Sequence, residues 1–349
     1  MQTFELSPDY HISRVIKGGW QLAGGHGDID HSQSIADMFA FADAGITTFD
    51  CADIYTGVEA LIGEFRAAYA RKHGAKALSK IKVHTKFVPD LGNLATITKA
   101  DVEAAIDRAL QRLQTDRLDL VQFHWWDYEV DRQVVVAGWL NELRQAGKIA
   151  NLGGTNFDTT QVKRILDAGV PLVSMQVQYS LIDNRPSRAM TDLAKANGFH
   201  LLCYGSVSGG FFSERWLGAA EPGAPWENRS LTKYKLIIDE FGGWDLFQEL
   251  LQTLSDIGKR HGADIASIAS RAILDRDAVA AVIVGARNRS HLDRNLAVPD
   301  IPLSPSDLQQ ITAVLDRSNG VPGDVYTLER DRSGAHGAVM KYNLNKEGH

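Results

Sequence analysis

The feature that most constrains this chain is an eightfold alternation of short apolar runs with amphipathic stretches. The runs are Arg14–Gln21, Thr47–Cys51, Lys82–Phe87, Leu118–His124, Asn151–Thr155, Leu172–Gln176, His200–Tyr204 and Val279–Gly285. Several are almost wholly apolar, as strands covered on both faces must be. Between them, Val102, Ala105, Ile106, Ala109, Leu110 and Leu113 recur at helical spacing behind a Thr98–Asp101 capping box. Asp158 caps a second helix that Gly169 ends, and Ser304-Pro305-Ser306-Asp307 opens a late one with proline at its first position. Regular βα alternation predicts a parallel sheet, and eight units predict a closed (β/α)8 TIM barrel rather than an open sheet. One such domain accounts for residues 1–349, with a barrel core at about 12–317 and an unpatterned tail at 318–349. After strand seven, Ser208–Asp245 is long and carries Gly, Pro, Phe211, Phe212, Trp216 and Trp226. It reads as an extended loop that acts as a lid.

Composition removes several function classes. With 37 basic and 43 acidic side chains the net charge is −6, which argues against a nucleic-acid partner. The two cysteines, Cys51 and Cys203, cannot build a disulfide framework or a four-thiolate zinc site. No apolar run is long enough for a membrane span. The start, MQTFELSPDYHISRV, has neither a basic nor an apolar signal region. The expectation is a cytoplasmic protein acting on a small molecule. There is no G-x-G-x-x-G after the first strand and no G-x-x-x-x-G-K-[ST], so a nucleotide cofactor must be held by another device.

In a TIM barrel the chemistry sits where strands end. Asp50 ends strand two, Lys86 lies near the end of strand three, His124 ends strand four, and Tyr55 follows Asp50 by five residues. Singly, a strand-end Asp is most often a helix cap and a strand Lys a snorkelling edge residue. Together they converge on one mouth.

Those residues lie in FDCADIY (49–55), HTKF (84–87) and LDLVQFHW (118–125); further on come GGTNF (153–157), SMQVQY (174–179), YGSVSGG (204–210) and VGARNRSHLDRN (284–295). Over about residues 12–317 the chain resembles the aldo-keto reductase superfamily. The resemblance implies a (β/α)8 barrel that binds NADP(H), with NAD(H) as the alternative, without a Rossmann fold. It implies Tyr55 as general acid, Lys86 as the cation that lowers its pKa, Asp50 as the partner that aims Lys86, and His124 as a group that polarises the substrate oxygen. Thr155, Asn156 and Gln176 match the family's nicotinamide clamp, and Tyr204 the ring that stacks under the nicotinamide. Gly205, Ser206, Val207, Gly209 and Gly210 match the pyrophosphate segment. Gly285, Arg287 and His291 correspond to the 2′-phosphate site, which a helix start favours, and Asn295 to the adenine contact. Arg294 departs from the usual Glu and would add phosphate affinity.

Trp20 and Gln21 close strand one, so Trp20, Phe87, Trp125 and Trp126 are expected to form an apolar substrate wall. Cys51 reads as core. The function expected is NADP(H)-dependent reduction of an aldehyde or ketone, or its reverse. Alternatives are a dehydrogenase of a sugar or pyridoxal-like alcohol and a regulatory nucleotide-binding subunit; the intact tetrad favours an enzyme.

Overall fold

A computed structural model describes residues 1–23 and 29–347. The chain opens with an antiparallel hairpin, β1 (Thr3–Ser7) and β2 (Tyr10–Ser13). Eight parallel strands follow: β3 (Val15–Gly18), β4 (Thr48–Asp50), β5 (Lys82–Phe87), β6 (Leu118–Phe123), β7 (Ile149–Thr155), β8 (Ser174–Gln178), β9 (His200–Tyr204) and β10 (Val279–Gly285). They pair in chain order, and β10 closes on β3 to complete the barrel. Every expected strand is present. The Thr98–Asp101 and Ser304–Asp307 capping boxes form as read, and Asp158 caps its helix. No described helix is long and apolar enough to cross a membrane.

The hairpin closes the barrel's amino end, where strands begin. Ser7 bonds Asn151, Ser13 bonds Thr48, and Phe4 packs edge-on against His200. Leu6, Tyr10 and Ile12 join Ile16, Leu120 and Leu202 in an apolar plug. The opposite half of the interior is polar. A hydrogen bond from Gln176 on β8 to Asp50 on β4 links strands that are not neighbours, so it crosses the barrel.

Side chains alternate along a strand, which corrects the expected substrate wall. Lys86 points inward, so Phe87 points out; it is buried and stacks on Phe123. Trp125 follows inward His124 and is likewise buried outside the barrel, beside Phe123, with its Nε1 donating to the Val130 carbonyl. Neither can touch a substrate. Trp20 does not end a strand either, because β3 stops at Gly18 and Trp20–Leu22 forms a short 3-10 turn.

Ser208–Asp245 is not a loop or a lid. It contains a helix at Arg229–Phe241 and leads into another at Gly243–His261. Leu231, Tyr234, Ile238 and Phe241 fall three and four residues apart and are buried, as are Phe211, Phe212 and Phe247. The aromatics that suggested a loop are the packing of this layer. Trimming the segment is therefore expected to unfold the protein rather than speed cofactor release. Phe212→Ala alone should cost about 3–5 kcal/mol in urea unfolding; a shift under about 1 kcal/mol would show the layer to be dispensable.

The tail, which carries no readable pattern, folds across the mouth. Val321, Val325 and Tyr326 are buried, and short helices run over Thr327–Arg330 and Ala335–Ala338. The Tyr342 carbonyl accepts from the Leu91 backbone beyond β5.

Candidate active site

Three strands and one turn assemble the central group. Asp50 ends β4, and the chain turns at once, with Tyr55 N bonding to Ala52 O and Val58 N to Tyr55 O. That turn brings Tyr55 back over Lys86 of β5. Lys86 Nζ donates to Asp50 Oδ1 at 2.6 Å, to the Cys51 carbonyl at 2.8 Å and to Tyr55 Oη at 3.4 Å. Burial pushes the ammonium down, but the charge and hydrogen bond of Asp50, with Tyr55 and Cys51 beside it, together outweigh burial, and Lys86 ends above its ordinary range. It stays charged.

Tyr55 departs from expectation. Lys86 does favour its phenolate, but burial is the larger effect, and the pKa lies above 10 rather than below it. At neutral pH Tyr55 is a phenol with a proton to give.

Asp50 Oδ2 accepts from Gln176 Nε2 at 2.6 Å and from Gln122 Nε2 at 3.1 Å. A carboxylate only accepts, so both amides must turn nitrogen toward it. Gln176 is thereby fixed with Oε1 as its remaining acceptor. Gln122 escaped the sequence reading; its inward parity with His124 was the available signal.

His124 lies just past β6. Its Nδ1 is 2.9 Å from the Thr155 carbonyl, and its Nε2 is buried with no partner. Burial first and the Arg330 charge second hold the ring neutral, with a pKa of about 3. A carbonyl only accepts, so the single ring proton sits on Nδ1 and Nε2 offers a lone pair. Polarising a carbonyl by donation is closed to this tautomer; accepting from a hydroxyl is open to it.

The residues expected at a nicotinamide cofactor stand on β7 to β10 and in the segments that follow those strands. Tyr204 Oη donates to Asn156 Oδ1 at 2.9 Å, and Asn156 holds a left-handed backbone (φ 60°). Gly205 also has positive φ (74°), and a Cβ there would strike Tyr234, so only glycine fits. Ser206 faces away, its hydroxyl against Ser270, whereas the Ser208 hydroxyl is buried and unpartnered. After Gly285 the chain enters a 3-10 turn at Arg289–His291, and Asn288 accepts from Ser290 N. Arg294 bonds Asp264 and His291. Burial and Arg294 both lower the His291 pKa. Asn295 Nδ2 is buried and unpartnered.

Three further side chains were not foreseen. Lys17 is buried beneath this segment, donates to the Ala286 carbonyl at 3.1 Å, and is pushed by burial down to about 8. Lys233 lies over the rings of Tyr204, Tyr234 and Tyr326. Tyr326 stands edge-on to His124, with centroids 5.8 Å apart. Trp20 does reach the mouth, edge-on to Tyr55 at 5.1 Å, and Trp126 meets His124 at 4.2 Å and Tyr342 at 5.1 Å. The apolar wall is Trp20, Trp126, Tyr326 and Tyr342. Among the described residues no cluster of His, Cys, Asp and Glu could hold a metal ion.

A closed eight-stranded barrel with an Asp, Lys, Tyr and His at its carboxyl mouth defines an oxidoreductase of the aldehyde and alcohol class. The chain belongs to the Aldo/keto reductase family, whose model matches residues 14–316. It is 27% identical over 326 residues to the aldo-keto reductase YhdN of Bacillus subtilis (strain 168), covering 89% of this chain and 92% of that one. Over 329 residues it is 23% identical to the NADH-specific methylglyoxal reductase of Escherichia coli (strain K12), covering 88% and 97% of the two chains. The fold matches the glycerol dehydrogenase AKR11B4 from Gluconobacter oxydans with a TM-score of 0.75 at 22% identity, over 90% and 95% of the two chains.

Proposed function

We propose that this protein is an NADP(H)-dependent carbonyl reductase for aromatic or apolar aldehydes and ketones, with Tyr55 as the proton donor. The observation that carries the reading is the convergence of Tyr55 Oη, on a charged Lys86, with the unpartnered His124 Nε2. A bound nicotinamide supplies the hydride, or takes it in the reverse direction. The residues suit such a group, because Asn295 Nδ2 and the Ser208 hydroxyl are buried without partners on the side where it would lie. Gln176 Oε1 would accept from the carboxamide, Tyr204 would support the ring, and Asn295 would meet the adenine.

Tyr55 gives its proton to the substrate oxygen while Lys86 stabilises the phenolate left behind. His124 Nε2 then accepts from the hydroxyl just formed, which holds the alcohol. The same lone pair serves an alcohol substrate, so oxidation is the second direction and rises with pH as Tyr55 ionises. Reduction should stay level through neutral pH and fall only above about 10. A limb near pH 7 in kcat/KM for reduction would put the proton on another group. Turnover of aromatic aldehydes, followed by NADPH absorbance, tests the whole reading; no turnover with either cofactor would overturn it.

One relative is named as NADH-specific, so cofactor choice rests on the segment after β10. Arg287, two residues past the end of β10, is the 2′-phosphate candidate. A guanidinium can grip a phosphate bidentately, worth roughly 1.5–3 kcal/mol, or about ten- to a hundred-fold in affinity. Arg287→Ala should weaken NADPH by that factor and leave NADH unchanged in fluorescence titrations. Unchanged binding of both would make Arg287 a surface charge; equal weakening of both would place it at the pyrophosphate or adenine.

A further inference from the structure

We propose that Arg330, contributed by the tail, is a positioning residue that sets the distance between His124 and the nicotinamide clamp. Its Nη1 donates to the carbonyls of Trp125 (2.6 Å) and Trp126 (3.2 Å), and its Nη2 to that of Asn156 (2.6 Å). The first two carbonyls directly follow His124. The third directly follows Thr155, whose own carbonyl holds His124 Nδ1. One guanidinium therefore joins the substrate loop after β6 to the cofactor loop after β7, at their backbones.

The choice of partners separates this from ordinary stabilisation. Each of these hydrogen bonds goes to a main-chain oxygen, and each oxygen belongs to a residue flanking the site. The cation is seated on the Tyr128 ring, with its centre 4.1 Å from the centroid. Its neighbour Glu329 accepts two hydrogen bonds of 2.9 Å from buried Arg185, which anchors this turn of the tail. Arg330 is thus held from behind and pins two loops in front. Carbonyls on two loops, taken by two nitrogens of one guanidinium, need its fixed fork; an ammonium on a flexible stem cannot reproduce it.

Without the pin, the two loops keep the His124–Thr155 bond and the bond from Asp158 N to Tyr128 Oη, neither of which fixes the Trp125, Trp126 and Asn156 carbonyls. A misplacement of about 1 Å between reacting groups can cost about a hundred-fold. The inference rests on the carbonyl-reductase reading, and one experiment separates the two. Wild-type enzyme, Arg330→Met, Arg330→Lys and Arg330→Ala are assayed with saturating NADPH and an aromatic aldehyde. NADPH deuterated at the transferred position reports the isotope effect, and melting temperatures are recorded.

Both Met and Lys variants should lose about a hundred-fold in kcat, show a larger primary isotope effect, and melt near wild type. Free guanidinium should partly restore Arg330→Ala. Arg332→Ala, which removes an exposed tail contact to Asp127, should behave as wild type. Wild-type kcat in a folded Arg330→Met overturns the proposal. So does a loss with an unchanged isotope effect and no rescue, which would mark a structural role. If Arg330→Met does not fold, Arg330→Lys decides by the same criteria. A wild-type enzyme that reduces no aldehyde would sink the proposed function instead.

Discussion

Replacing Tyr55 with Phe is expected to cost about a hundred- to ten-thousand-fold in turnover, the range for loss of a general acid. The ring, and with it the edge contact to Trp20, is retained. Lys86 keeps its bonds to Asp50 and the Cys51 carbonyl, so removing the hydroxyl strands no buried charge. Stability should therefore stay near wild type. Cofactor affinity should also hold, since Gln176 is aimed by Asp50 rather than by Tyr55. Single-turnover kinetics with preloaded NADPH, beside a melting curve, distinguishes these effects. A variant that keeps more than about a tenth of wild-type turnover would remove Tyr55 from its role.

A stability effect as large as that of Phe212→Ala is expected at the buried charge cluster under the tail. Arg185 is 1% exposed and is shared between Asp183 and Glu329, with contacts of 2.8–2.9 Å. Removing one partner from such a cluster costs about 3–5 kcal/mol, because the charge that remains is left under-compensated. Glu329→Ala should lose that amount in urea unfolding at pH 7, and the tail should become a substrate for protease.

Burial pushes the Glu329 carboxyl up, but hydrogen bonds from Arg185 and its charge carry it down to about 2. A depressed folded-state pKa gives stability that is complete above the unfolded value of about 4.3 and lost as pH falls through the folded one. Wild-type stability should drop between pH 4.5 and about 2, and Glu329→Gln should flatten that drop. Parallel pH curves for the two proteins would exclude Glu329 as the linked group.

Of the four candidate catalytic residues, Asp50, Lys86 and His124 were legible because they stand at or beside strand ends, and Tyr55 through the motif that joins it to Asp50. Apolar runs locate strands, and an inward-pointing residue near a strand's carboxyl end faces the mouth. Phe87 and Trp125 were misplaced although the means to place them were present. Each is one residue from an inward side chain, and a step of one reverses the face. Ser208–Asp245 misled because Gly, Pro and Trp dominate its composition, while Leu231, Tyr234, Ile238 and Phe241 keep helical spacing underneath. The tail was opaque for another reason. Its key residues, Tyr326, Glu329 and Arg330, act on partners as far as 144 to 205 positions away, and no local period records such a contact.

What the sequence determined by itself is the barrel, the order of its strands and the four polar residues at its mouth. The strands follow from local periodicity, which places Asp50, Lys86 and His124 at or beside their ends; Tyr55 follows from the family motif that begins at the end of the second barrel strand. What the tertiary structure decided is the state of those residues. Burial overrides Lys86 and keeps Tyr55 protonated, the Thr155 carbonyl selects the His124 tautomer, and Asp50 turns two amides. Protonation and hydrogen-bond direction depend on dielectric and on partners brought from distant strands. Those quantities exist only once the barrel has closed.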